Sequence, residues 1–122
     1  GCVSRVPVIT TPAFPDFIFP TVPREFIGTT EEGSHQDAWT YLQFGDLEEA
    51  DQRFTDLLGL NPAFYPAEAG LGWVGLARGE HEVAVGHFER AIALSPAYVP
   101  ALLGRGETLL GRWRRTGALQ GV

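Results

Sequence analysis

No lysine occurs in this chain: its nine basic residues are all arginine, set against fifteen acidic ones for a net charge of −6. A protein that neutralises the phosphates of a duplex needs a basic face, and here only Arg112, Arg114 and Arg115 cluster. Nucleic acid is therefore not an expected partner. Methionine is missing too, even at position 1, so the expectation is a processed chain or a piece of a longer one. A single cysteine, Cys2, rules out an internal disulfide. No run approaches the roughly 18 apolar residues of a membrane-spanning helix. What remains is 122 residues, 44% of them apolar, enough for one domain with a modest core.

Proline is concentrated at the start. Pro7, Pro12, Pro15, Pro20 and Pro23 all fall within residues 1–28. Each removes a backbone donor and pushes its predecessor toward extended structure, so a helix is not expected there. Yet "FPDFIFPTVPREFI" carries Phe14, Phe17, Ile18, Phe19, Val22, Phe26 and Ile27. Disordered tethers are poor in aromatics, so this extended Pro-rich segment is expected to pack on something.

From Thr29 onward the pattern turns helical. Thr29 with Glu32, and Asp46 with Glu49, have the spacing of reciprocal capping boxes. Apolar residues at three- and four-residue steps predict helices over roughly 31–44, 46–60, 66–78, 81–94 and 100–112. Gly45 and Gly79 close the first and third; Asn61-Pro62 and Ser95-Pro96 end the second and fourth; Pro66 and Pro100 suit the first turns of the third and fifth. These landmarks repeat. Gly45 and Gly79, Ala50 and Ala84, Phe54 and Phe88, Leu60 and Leu94, Pro62 and Pro96 are each separated by 34 positions.

A 34-residue helix-turn-helix unit with these residues resembles the tetratricopeptide repeat (TPR). The best-fitting unit is 65–98, with Leu71-Gly72 followed by Ala84, Phe88, Ala91 and Pro96. Unit 31–64 keeps Ala38, Tyr41, Ala50, Phe54 and Pro62, but departs from the pattern at Ser34, Asp37 and Leu57. A third unit begins at Val99 and breaks down after Arg112. The resemblance implies an all-α solenoid of about two and a half repeats over residues 29–113, with 99–113 the partial unit and 114–122 a frayed tail. It assigns the close helix approach to the small residues Ala38, Gly72 and Gly106, and an inter-unit plug to Phe54 and Phe88. Gly70 and Gly75 are expected to leave room for a neighbour's aromatic ring.

Several patterns with chemical overtones fit packing better. "GLGWVG" spells a dinucleotide fingerprint, but it lies inside a predicted helix rather than between a strand and a helix. His35, His81 and His87 have no partner at metal-ligand spacing. Glu48, Glu49, Asp51 and Asp56 read as a solvated face. No acid, base and nucleophile converge, so no enzyme, metal or cofactor is expected.

The resemblance also places a concave groove. Trp39 and Trp73 share the position that faces it, and their neighbours are His35, Leu42 and Gln43, then Ala69, Leu76 and Ala77, then Leu103, Glu107 and Leu110. This is an unusually apolar groove, the mark of a contact surface, unless both Trp are simply buried between repeats. Relatives that hold a terminal carboxylate use Lys and Asn here; this chain has no Lys, and Asn61 sits in a turn. Extended Pro-rich peptides dock on aromatic grooves at low entropic cost. The segment "FPDFIFPTVP" is therefore expected along the chain's own repeat surface, as a cap or as an occupant that a partner displaces.

Gly1-Cys2 looks like the end of a bacterial lipoprotein signal followed by the lipidated cysteine. The functional expectation is a protein-interaction scaffold that binds a protein or peptide in the groove. It would be lipid-anchored through Cys2 on the periplasmic side of a bacterial envelope, with self-association of its end faces plausible. The alternatives are an accessory repeat domain of a longer enzyme or regulator, and a cytoplasmic location.

Overall fold

A computed structural model describes residues 6–7 and 11–116. Five α-helices follow one short 3₁₀ turn at Arg24–Phe26: α1 (Thr30–Phe44), α2 (Leu47–Leu60), α3 (Tyr65–Ala77), α4 (His81–Leu94) and α5 (Val99–Arg115). No strand occurs among the described residues. Each helix packs on the next, and α3 also touches α1 and α5, so it is buried nearly all round. The 34-residue spacing reappears in the elements: α4 starts and ends that far beyond α2, and α5 starts that far beyond α3. No helix is long and apolar enough to cross a membrane among the described residues.

Local chemistry sets the boundaries. Gly45 (φ 93°) and Gly79 (φ 74°) adopt left-handed backbone that a side chain would strain. Around each, two N–H groups fold back on the helix end: Gly45 to Leu42 and Asp46 to Tyr41, then Gly79 to Leu76 and Glu80 to Gly75. This six-to-one and five-to-two pairing satisfies carbonyls that would otherwise be orphaned. Pro66 and Pro100 lie in the first turns of α3 and α5, where a missing N–H costs nothing.

The capping boxes form only by halves. Thr29 accepts from the Glu32 N–H at a long 3.4 Å, but the Glu32 carboxylate takes the N–H of Gly28, because Thr29 N–H already bonds Phe26. Asp46 accepts from Glu49 N–H at 3.1 Å, while the Glu49 side chain turns to Arg53 at 2.9 Å. The i,i+4 partner wins because the Asp46 N–H is already used by Tyr41.

The core is an alternation of rings and glycines. A Cβ built on Gly70 would lie 2.5 Å from the Phe54 ring, and one on Gly72 2.5 Å from the Phe88 ring. Gly104 meets the Phe88 ring just as closely. Phe88 is thus clasped between α3 and α5, and Phe54 seats on α3. Two expectations need correction. Gly106 has nothing within 4 Å of a Cβ among the described residues, because it lies on the exposed face of α5; Gly104 is the slot. Gly75 admits no ring but the backbone and methyl of Ala84, at 3.1 Å. The last helix also outruns its predicted end at Arg112. It continues to Arg115 because Arg112 pairs with Glu82 at 2.6 Å and Arg115 bonds the Gly79 carbonyl at 3.0 Å, tying its last turn to the start of α4. The frayed tail therefore does not begin at 114.

Candidate functional site

Helix α1 presents His35, Trp39 and Gln43, one per turn, and α3 presents Trp73 to a shared trough, and the extended segment 13–22 lies in it. Gln43, near the end of α1, grips the main chain of Phe14 from both sides. Its Oε1 accepts the Phe14 N–H at 2.9 Å and its Nε2 donates to the Phe14 carbonyl at 2.8 Å. The Ala13 N–H reaches the Gln43 backbone carbonyl at 2.7 Å. Phe17 then packs at a tilt on Trp73, centroids 4.7 Å apart, and stacks on Phe14 at 4.8 Å. Phe19 meets the ring of His35 at 5.3 Å and the edge of Trp39 at 5.6 Å.

Two further groups hold the main chain. His35 Nε2 lies 2.7 Å from the Pro20 carbonyl, and since a carbonyl only accepts, this nitrogen carries the proton. The Tyr98 hydroxyl donates to the Thr21 carbonyl at 2.6 Å. The segment thus runs from the C-terminal end of α1 back toward its N-terminus. There Phe26 packs on Phe64 at 4.9 Å before the chain enters α1 through Gly28 (φ 83°). Every one of these contacts either reads backbone or seats an aromatic ring, which is how a groove recognises an extended peptide.

Burial governs the electrostatics. His35 is fully buried, and loss of solvation lowers its pKa to about 4, partly opposed by its bond to Pro20. It is therefore neutral at physiological pH, and its Nδ1 is left as a buried acceptor with no partner. The indole N–H of Trp73 is likewise buried and unpaired. Burial pushes the Tyr98 phenol well above its ordinary range, so it stays a donor.

The structure divides the expected groove residues. His35, Trp39, Gln43 and Trp73 come together under the segment. Leu42 and Ala69 are wholly buried in the core instead, because α1 and α3 turn them toward each other's packing layer. Leu76 and Ala77 are half-buried, with Leu76 packed against the core. Leu103 and Glu107 are exposed and Leu110 half-buried, on the helix that lies beyond the segment's ring contacts. Trp73 is 1% exposed, buried by Phe17 on one side and Phe88 on another. Cys2 lies outside the described residues. Sequence reasoning missed Tyr98 and Phe64. They too stand 34 apart, each just before a Pro-started helix, and that repetition is the signal that would have found them.

Several other charged groups are engaged in structure. His87 pairs with Glu68 at 2.9 Å, Arg78 with Asp51 at 2.7 Å, and His81 meets Arg115 at 2.9 Å. A hollow of about 450 Å³ lined by Gly79, His81, Glu82, Arg112 and Arg115 lies at the α4–α5 end, with its arginines already bonded. No group of three or more His, Cys, Asp or Glu is placed to hold a metal ion among the described residues. No family model, no curated protein and no solved structure matches the chain.

Proposed function

We propose that this chain is a TPR-type helical solenoid working as a protein-interaction scaffold, whose trough between α1 and α3 binds an extended stretch of protein. One observation carries the reading: the trough already holds such a stretch, through side chains that bond main-chain groups at Phe14, Pro20 and Thr21. A surface built only to bury apolar rings would not need Gln43 to bond both main-chain groups of one residue. The 34-residue recurrence of helices and ring-in-glycine contacts supports the solenoid. Glu107 takes in α5 the place that Trp73 has in α3, and continues the trough on its open side. A photo-crosslinking residue at Glu107 should trap a protein partner in the native cell, and one at exposed Asp56 on α2 should not. Equal trapping at both, or at neither, would refute the reading.

The Gly1-Cys2 pair supports anchoring of the scaffold to a bacterial envelope by a lipid on Cys2, with the Pro-rich run as its tether. Labelled fatty acid incorporated by the product of the complete gene, and lost in Cys2→Ala, is the expected result; absence of label removes the anchor.

A second reading, an accessory repeat domain of a longer enzyme or regulator, is favoured by the bare face of α5. Val99 (55%), Leu103 (48%) and Trp113 (50%) are exposed along one stripe with the open Gly106, where α3 at the same register receives α4. Coding sequence that continues into further helices would favour that reading.

A further inference from the structure

We infer that the segment 13–21 is a tethered competitor, and that the trough's partner is an extended stretch of another protein carrying the pattern aromatic-x-aromatic-Pro. This rests on the interaction-module reading above. The pattern is that of Phe17, Ile18, Phe19 and Pro20 as they sit. Phe17 lies on Trp73 and Phe19 against His35 and Trp39. Ile18 points out, 41% exposed, so that position is free. Pro20 is buried and offers its carbonyl to His35. Nothing in these contacts depends on the segment's being covalently attached, so the same chemistry in trans fits the same places.

Two features make the segment replaceable. The first is that it leaves polar groups unmet on the very residues it covers: the Trp73 N–H and His35 Nδ1 are buried without partners. Buried polar groups without partners are costly, so a ligand that supplies an acceptor to one and a donor to the other has an advantage that the segment lacks. The second is the connection. Phe26 stays packed on Phe64, and exposed Arg24 and Glu25 join it to the segment, so residues 13–21 can leave without disturbing the helices. The same argument selects another protein over a second copy. A second copy's segment brings identical contacts, while the attached one has the higher effective concentration. Short of a large excess of a segment-like peptide, only a better-matched ligand displaces it.

The apparent affinity of the trough for that ligand is reduced by the fraction of chains whose segment is out of place. The test titrates the peptide PAFPDFIFPTVP, and a version with alanine for its second and third Phe and the Pro after them, into two proteins. One is the full chain and the other is the full chain with Phe17→Ala and Phe19→Ala, which weakens the attached segment and leaves the trough intact. The double variant should bind the first peptide about tenfold tighter or more than the unaltered chain does. It should also prefer the first peptide to the alanine version by a similar factor. Equal affinity of the two proteins means that the segment does not compete, and overturns the inference. Equal affinity of the double variant for both peptides shows that the trough does not read the pattern; the inference then falls while the interaction-module reading stands. If the double variant is folded and binds neither peptide, that reading falls as well. Should the double variant not fold, amide exchange on the unaltered chain decides. Saturating peptide should strip protection from the Ala13 and Phe14 amides that Gln43 holds, and retained protection overturns the inference. A concentration-dependent dimer in which segments exchange between copies would overturn the choice of partner.

Discussion

A single methyl group added at either of two glycines in α5 should move stability in opposite directions. Both Gly104 and Gly106 are interior helix positions, where alanine is better than glycine by about 1 kcal/mol. At Gly106 a Cβ meets nothing within 4 Å, so Gly106→Ala should keep that gain and raise Tm by roughly 4–8 °C. At Gly104 the new Cβ would fall inside the ring of Phe88. The ring has little room to retreat, because Gly72 presses on it too: a Cβ position there is 2.5 Å from it. Overpacking of this kind costs about 1–3 kcal/mol, and the clasp puts this site at the upper end. Less the helix gain, Gly104→Ala should lose about 2 kcal/mol, so the two variants differ by about 3 kcal/mol. Urea unfolding followed by far-ultraviolet circular dichroism measures both. If Gly104→Ala proves as stabilising as Gly106→Ala, Phe88 is not seated between α3 and α5, and the account of the core is wrong.

Gln43→Ala leaves the Phe14 N–H and carbonyl without their partners, and should speed exchange of the Phe14 amide by about tenfold or more, the rate equivalent of about 1.4 kcal/mol. Stability should also fall with acid. The folded pKa of His35, about 4, lies below its unfolded value of 6.5, so the unfolded chain binds the extra proton between those values. The contribution of neutral His35 is complete above pH 6.5 and is lost as pH falls toward 4, about 3 kcal/mol in all. His35→Gln keeps a donor for Pro20 and should flatten that part of a pH-resolved unfolding curve. Deleting residues 1–28 uncovers Trp73 and Trp39, so tryptophan emission should shift to the red and Tm should drop; unchanged emission and Tm would show that the segment is not docked in solution.

The helical part of the chain was legible because its markers act locally. A glycine at left-handed φ or a proline in a first turn needs no tertiary partner to exert its effect, so Gly45, Gly79, Pro66 and Pro100 place helix ends to within a residue or two. The docking of the Pro-rich segment was legible from composition, since four phenylalanines cannot stay in water. What could not be read is anything decided by a competing partner. Gly104 and Gly106 look equivalent on paper, and only the position of Phe88 tells them apart. Glu49 had two acceptable partners and took Arg53. The roles of Leu42 and Ala69 turned on helix rotation, which a 34-residue register fixes too loosely to separate trough from core.

The direction in which the segment lies has a consequence for whatever is joined to it. With the segment in place, the chain is held at Ala13 beside Gln43, at the C-terminal pole of α1. With the segment displaced, its last hold is at the opposite pole, beside Thr29, about 20 Å away along the helix. Exchange of ligands in the trough would thus move the point of attachment from one end of the domain to the other. Anything fixed upstream, a lipid included, would find the scaffold reversed relative to it and held on a longer leash.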